Sequence, residues 1–150
     1  MKVCITCSAG GHLIESFRLL PTVKKYDFFY FTFFVKHLKK TLKKYRVYFT
    51  INPKRGPIKF LKVIFDSIKV LLKEKPNVII STGAGVTVPL CLLGKFFFRT
   101  KLIYVECSAQ VYKPSYAGRV LYWFADMFFV QWPFLAKVYG KKAVYGGLLI

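Results

Sequence analysis

Residues 2–13, Lys2-Val3-Cys4-Ile5-Thr6-Cys7-Ser8-Ala9-Gly10-Gly11-His12-Leu13, contain the three parts from which the fold can be read. Six residues of strand character end in a glycine turn, and a helical pattern starts directly after it. The arrangement recurs at Val78-Ile79-Ile80-Ser81-Thr82-Gly83-Ala84-Gly85, where a β-branched run again meets glycines and then a helical pattern. Outward from these two, short β-branched or aromatic runs at residues 2–7, 27–35, 46–50, 77–81, 101–106 and 127–131 alternate with helical patterns at 11–22, 36–45, 57–75, 85–98, 115–125 and 133–139. Such alternation predicts right-handed crossovers and a parallel sheet covered by helices on both faces. The expected class is α/β, a Rossmann-like doubly wound parallel sheet, with residues 1–150 as a single domain.

Composition narrows the function classes. At 55% hydrophobic and 19% aromatic, the chain is neither disordered nor collagen-like. Its 25 lysines and arginines against 6 acids give a net charge of +19, which favours anionic partners: phosphates, acidic lipid or nucleic acid. Cys4-x-x-Cys7 has no second pair at metal spacing, so no metal site is expected, and two buried, reduced thiols of a cytoplasmic protein are the plainer reading. Met1-Lys2 leads straight into an apolar run too short for a signal peptide, so none is expected. The longest uncharged stretch, residues 77–94, contains Gly83, Gly85 and Pro89 and fits strand, loop and helix rather than a bilayer span.

The strongest helical pattern is residues 57–75. Lys59, Lys62, Asp66, Lys69 and Lys73 make one polar stripe, Pro57 suits the first turn, and Pro76 ends it. Around the stripe lie more apolar side chains than one sheet face covers. Between residues 24 and 75 there are 15 lysines and arginines against Asp27, Asp66 and Glu74. Basic and apolar residues interleaved in this way suit a surface lying on anionic lipid, with Lys54, Arg55, Ile58, Lys59, Phe60 and Lys62 as its expected membrane-facing residues. The alternative is a solubilising face.

In an open parallel sheet, ligands bind beyond the carboxyl ends of the strands. Three strand-to-helix loops there carry chemistry. Gly10 and Gly11 allow a tight turn and a close backbone approach to an anion such as a diphosphate. His12, immediately after them, is a candidate proton acceptor or binding group, although a lone histidine is commonly structural. The second loop holds Gly83 and Gly85. Glu106 ends the fifth strand at the same edge, either facing a ligand or capping a neighbouring loop. The first loop lacks Gly-x-Gly-x-x-Gly, and the second strand ends in Phe33-Phe34-Val35-Lys36 without an acid, so no nicotinamide dinucleotide and no other cofactor is expected.

These motifs, with residues 118–122, 125–126 and 130–133, resemble in order and spacing the acceptor-side, membrane-associating subunit of the two-component UDP-N-acetylglucosamine transferase of lipid-linked oligosaccharide synthesis. Bacterial capsule and exopolysaccharide subunits of the PssD type belong to the same family. The glycine loops, histidine and glutamate are also similar to the N-terminal half of a GT-B glycosyltransferase such as MurG. The resemblance implies that this chain supplies the N-terminal, acceptor-binding half of a GT-B fold. A separate donor-binding glycosyltransferase subunit, forming a heterodimer with it, would hold most of the UDP-sugar.

Carried over by position, the resemblance puts Gly10, Gly11, Gly83 and Gly85 beside the acceptor, a polyisoprenyl-diphosphate-linked sugar, with His12 and Glu106 as the catalytic pair. Glu106 would orient ligand or loop. Ser8 stands where eukaryotic members show a first glycine, which leaves the carrier open between dolichol and undecaprenol. The transmembrane anchor of eukaryotic members is not seen, implying peripheral attachment to an anionic membrane at its cytoplasmic face. Three rival readings are a basic nucleic-acid binder, for which no helix-turn-helix, zinc-finger or RNP pattern exists, a self-sufficient nucleotide-binding enzyme with the same fold, and a non-catalytic membrane scaffold for the partner.

Overall fold

The computed structural model describes residues 1–53 and 56–149. Among them seven strands, β1 (Lys2–Thr6), β2 (Asp27–Phe33), β3 (Val47–Thr50), β4 (Val78–Ser81), β5 (Lys101–Val105), β6 (Met127–Val130) and β7 (Ala143–Tyr145), form one sheet. Its order is β3-β2-β1-β4-β5-β6-β7 and every pair is parallel. The chain builds outward from β1 in one direction to β3, returns across β1, and builds outward again from β4. Right-handed crossovers therefore put α1 (Gly11–Arg18), α2 (Leu20–Val23) and α3 (Lys36–Thr41) on one face. The other face receives α4 (Pro57–Glu74), α5 (Val88–Phe97), α6 (Tyr116–Leu121) and α7 (Pro133–Tyr139). The expected doubly wound fold is thus found.

Alternation along each strand divides the core in two. Cys4, Phe29, Ile79, Leu102 and Phe128 point to the α4–α7 side, while Val3, Ile5, Tyr30 and Ile80 point to the α1–α3 side. Cys4, Cys7, Cys91 and Cys107 are all free and buried, as expected for the first two. On the first side α5 lies hard against the sheet at Gly94. A Cβ there would collide with Ile79 Cδ1 and stand 2.9 Å from Thr100 Oγ1.

The element boundaries depart from the sequence pattern for local reasons. The pattern at 11–22 is cut at Leu19 because Pro21 cannot continue α1, and α2 restarts with that proline in its first turn. The pattern at 85–98 opens as a 3₁₀ turn, Gly85–Thr87, before α5. β7 was not expected: it has three residues, Val144 and Tyr145 are half exposed, and so short a run has no readable period.

Three helices for seven strands leave part of the α1–α3 face thinly covered. A groove of about 250 Å³ runs over β4, β5 and β6 there, floored by Ile80, Ile103, Val105 and Phe129 and bordered by Leu19 and Gly147.

The amino end of the sheet is tied by one buried carboxylate. Glu74, at the end of α4, accepts from Lys2 Nζ at 2.9 Å and from the Tyr48 hydroxyl at 2.5 Å, with Arg46 Nε 3.4 Å away. Burial alone would raise this carboxyl, but the Lys2 and Tyr48 hydrogen bonds and the Arg46 charge outweigh it and hold its pKa below the ordinary value. A depressed folded pKa gives stability that is present above the unfolded value, about 4.3, and lost as pH falls through the folded one. The stability difference between the native chain and Glu74→Gln in urea unfolding is therefore expected to be largest above about pH 5 and to shrink toward about pH 3. A difference constant across that range would show that the charge contributes nothing.

Candidate functional site

The reversal of strand order falls between β1 and β4, and the two glycine loops leave the sheet side by side at this point. Gly10 turns the chain with φ of +97°, a conformation that favours glycine, directly before α1. A Cβ on Gly11 or Gly85 would meet nothing within 4 Å, so the space over these backbones is open. Gly83 differs: with φ of +106°, its Cβ would press on His12 Cε1 at 3.1 Å and the Tyr104 hydroxyl at 3.2 Å. Ala84 continues the turn at φ of 80°, a conformation costly for a residue with a Cβ. Gly83 N–H donates to Ser81 Oγ at 3.2 Å, and Thr87 Oγ1 to the Ala84 carbonyl at 2.8 Å, which hold the turn closed.

His12 is clasped to the second loop. Its Nδ1 lies 2.6 Å from the Thr82 carbonyl oxygen, and Thr82 Oγ1 donates back to the His12 carbonyl at 2.9 Å. A carbonyl only accepts, so the ring proton sits on Nδ1 and the lone pair on Nε2. The side chain is about a quarter exposed, at 23%. The result is an oriented imidazole able to take a proton at Nε2, set between two glycine loops at an open sheet edge.

Glu106 occupies a different place from the one expected of a catalytic carboxylate. It is fully buried, and both oxygens are taken. Oε1 accepts from Cys107 N–H at 3.0 Å and the Tyr104 hydroxyl at 3.2 Å; Oε2 accepts from Ser115 N–H, Ser115 Oγ and the Tyr139 hydroxyl. Gly118 makes room for this cluster, since a Cβ there would collide with Tyr139 and Glu106. Burial first, and then the Glu106 charge or hydrogen bond, raises both tyrosine hydroxyls and keeps them donors. As arranged, Glu106 folds residues 107–115 back over the sheet edge and fixes Ser115, the N-cap of α6. Of the two readings left open by the sequence, the geometry matches the capping one.

A second acid, not singled out from the sequence, stands closer to His12. Glu15, one turn along α1 and buried, accepts from Ser108 N–H at 2.7 Å and Gln131 Nε2 at 3.3 Å through Oε1. The signal was available, because residues three apart on a helix share a face. Among the described residues His12, Glu15 and Cys107 bring possible ligand atoms within 4.8 Å of one another. The set suits a metal poorly: Nδ1 is spent on Thr82, and burial pushes the Cys107 thiol up to about 11.

Four of the six expected membrane-facing residues lie on α4. Ile58 is 82% exposed on α4, with Leu61 and Phe65 also exposed beside Phe60, Lys59 and Lys62. Lys54 and Arg55 lie outside the described residues. Among the described residues no helix is long and apolar enough to cross a membrane.

Comparison with known proteins places this architecture. MurG of Acinetobacter baumannii matches 89% of the chain with 42% of its own, at a TM-score of 0.73 and 16% identity. A UDP-N-acetylglucosamine 2-epimerase of Rickettsia bellii matches 99% of the chain with 45% of its own, at 0.77 and 11%. Such likenesses speak for the fold, one Rossmann-like half of the GT-B arrangement. In sequence, the UDP-N-acetylglucosamine transferase subunit ALG14 of Yarrowia lipolytica is 40% identical over 90 residues, which cover 56% of this chain and 41% of that relative. The chain spans about two-fifths of the length of the first curated relatives it matches. The family model described as oligosaccharide biosynthesis protein Alg14 like matches residues 50–149, a stretch that takes in Gly83, Gly85 and Glu106. The chain belongs to the Alg14-like family of oligosaccharide biosynthesis proteins.

Proposed function

We propose that this chain is the acceptor-binding subunit of a heterodimeric glycosyltransferase, which moves a sugar from a UDP-sugar to a saccharide linked through diphosphate to a polyisoprenoid carrier. The clasp of His12 to Thr82 carries this reading: it leaves one proton-accepting nitrogen fixed between glycine loops with open space above them. The name of the Yarrowia relative supports N-acetylglucosamine as the transferred sugar and the division into subunits. Gly10, Gly11, Gly83 and Gly85 would lie along the acceptor, with the backbone N–H groups of the first loop, at Gly10 and Gly11, toward its diphosphate.

In the proposed reaction an acceptor hydroxyl attacks the anomeric carbon of the UDP-sugar held by the donor-binding partner. The new glycosidic C–O bond forms while the bond from that carbon to the UDP oxygen breaks, with inversion. The hydroxyl proton passes to His12 Nε2, and UDP leaves with the bonding electron pair. Glu106 takes part by holding residues 107–115 and the start of α6. His12→Ala in the reconstituted pair is expected to lower kcat about 10²- to 10⁴-fold with little change in KM, followed by radiolabelled sugar transfer. An unchanged rate would remove His12 from the chemistry.

Membrane association is proposed through α4. Ile58, Leu61 and Phe65 stand exposed among Lys59, Lys62 and Lys69, so the helix can lie in the interface with its apolar side chains in the acyl boundary. Each lysine near anionic headgroups adds about 1 kcal/mol. Exposed isoleucine and leucine favour lipid over nucleic acid, and the attachment is peripheral, at the cytoplasmic face where the lipid-linked acceptor would be met. The native chain is expected to float with phosphatidylglycerol vesicles and poorly with phosphatidylcholine ones, and the Ile58→Glu, Leu61→Glu, Phe65→Glu triple variant to stay in the soluble fraction. Equal flotation of native and triple variant would rule out α4 as the attachment.

A further inference from the structure

Within the described residues Glu15 is the acid nearest His12, and it is half used. Its side chain is 3% exposed and Oε1 is anchored by Ser108 N–H and Gln131 Nε2, yet Oε2 is buried with no hydrogen-bond partner. A buried orphan carboxylate oxygen is costly and unusual. That oxygen lies 3.9 Å from His12 Nδ1, too far for a hydrogen bond and near enough for a charge. The anchors are themselves fixed: Gln131 also donates to the Glu106 carbonyl at 2.9 Å and accepts from Leu149 N–H at 2.6 Å. The third group here, Cys107, has its thiol pushed up to about 11 chiefly by burial, so it adds no competing charge at neutral pH.

We infer that Glu15 is the positioning residue of His12, placed so that its free Oε2 stabilises the imidazolium formed when Nε2 takes the acceptor proton. The inference rests on the reading of His12 as base. Thr82 already holds Nδ1–H, so Glu15 is not needed to choose the tautomer. Its effect is felt once the ring is charged, and so falls on the transition state rather than on acceptor binding.

The test is a double-variant cycle in the complex reconstituted with its donor subunit, using UDP-N-acetylglucosamine and polyprenyl-diphosphate-linked N-acetylglucosamine. Glu15→Gln keeps an oxygen for Ser108 N–H and removes only the charge. It is expected to lower kcat about 10- to 100-fold with KM within about twofold. In the His12→Ala background it is expected to cause no further loss, because a residue acting through His12 then has nothing to act on. Losses that multiply would mean that Glu15 works apart from His12, by holding Ser108 or touching substrate, and overturn the inference. A native kcat for Glu15→Gln alongside a large His12→Ala loss overturns it too, while leaving His12 as the base. A native complex that transfers nothing, or His12→Ala at native rate, removes the reading and the inference together. Should Glu15→Gln unfold, Glu15→Asp decides in its place: retained charge is expected to keep most of kcat, and a loss equal to that of His12→Ala overturns the inference.

Discussion

The clasp between His12 and Thr82 joins the first residues of two different crossover connections. β1 and β4 are far apart in the chain but adjacent in the sheet, so the loops that follow them emerge together and must be kept from drifting. Two reciprocal hydrogen bonds do this, one through a side-chain nitrogen and one through a side-chain hydroxyl. Each is worth only about 1 kcal/mol net. Their larger effect is geometric, since they choose the imidazole tautomer and press the ring against the one position, Gly83, where a side chain would displace it. The positive φ values at Gly83 and Ala84 are tolerated because the surrounding hydrogen bonds determine the turn.

A second constraint is the scarcity of acids. Six carboxylates serve a chain of net charge +19, and each has an internal partner. Glu15, Glu74 and Glu106 are buried in hydrogen-bond networks; Asp27 pairs with Arg46, Asp66 with Lys62 and Asp126 with Lys95. The acids thus hold loops and helix ends in place, while the surface field is left to lysine and arginine, a field that favours anionic partners in general. The same burial of negative charge puts two carboxylates, Glu15 and Glu106, behind the open sheet edge.

The sheet and the edge that carries the candidate site were legible in the sequence because they depend on short-range signals, namely six β-branched or aromatic runs alternating with six helix periods, with glycine turns at two of the junctions. His12 and the glycines were legible for the same reason. The direction of the Glu106 side chain was not, because it depends on Tyr139, 33 residues later on α7, and on Gly118 leaving space. A residue at a strand end can face ligand or protein, and only the fold decides. Glu15 was within reach, as a residue one turn beyond His12, but its burial depends on Ser108 and Gln131 arriving from other elements. The 57–75 helix was read as carrying more apolar surface than one sheet face covers, and Ile58, Leu61 and Phe65 are exposed.

Both borders of the sheet are brief. β3 has four residues, with Arg46 immediately before it, and β7 has three, preceded by Lys141 and Lys142. Unpaired peptide groups on so short a border give an incoming strand little to zip onto, and the lysines before β7 repel another copy of that border. Growth of the sheet into fibrils or strand-exchanged pairs is thereby discouraged, even in a chain this rich in phenylalanine and tyrosine.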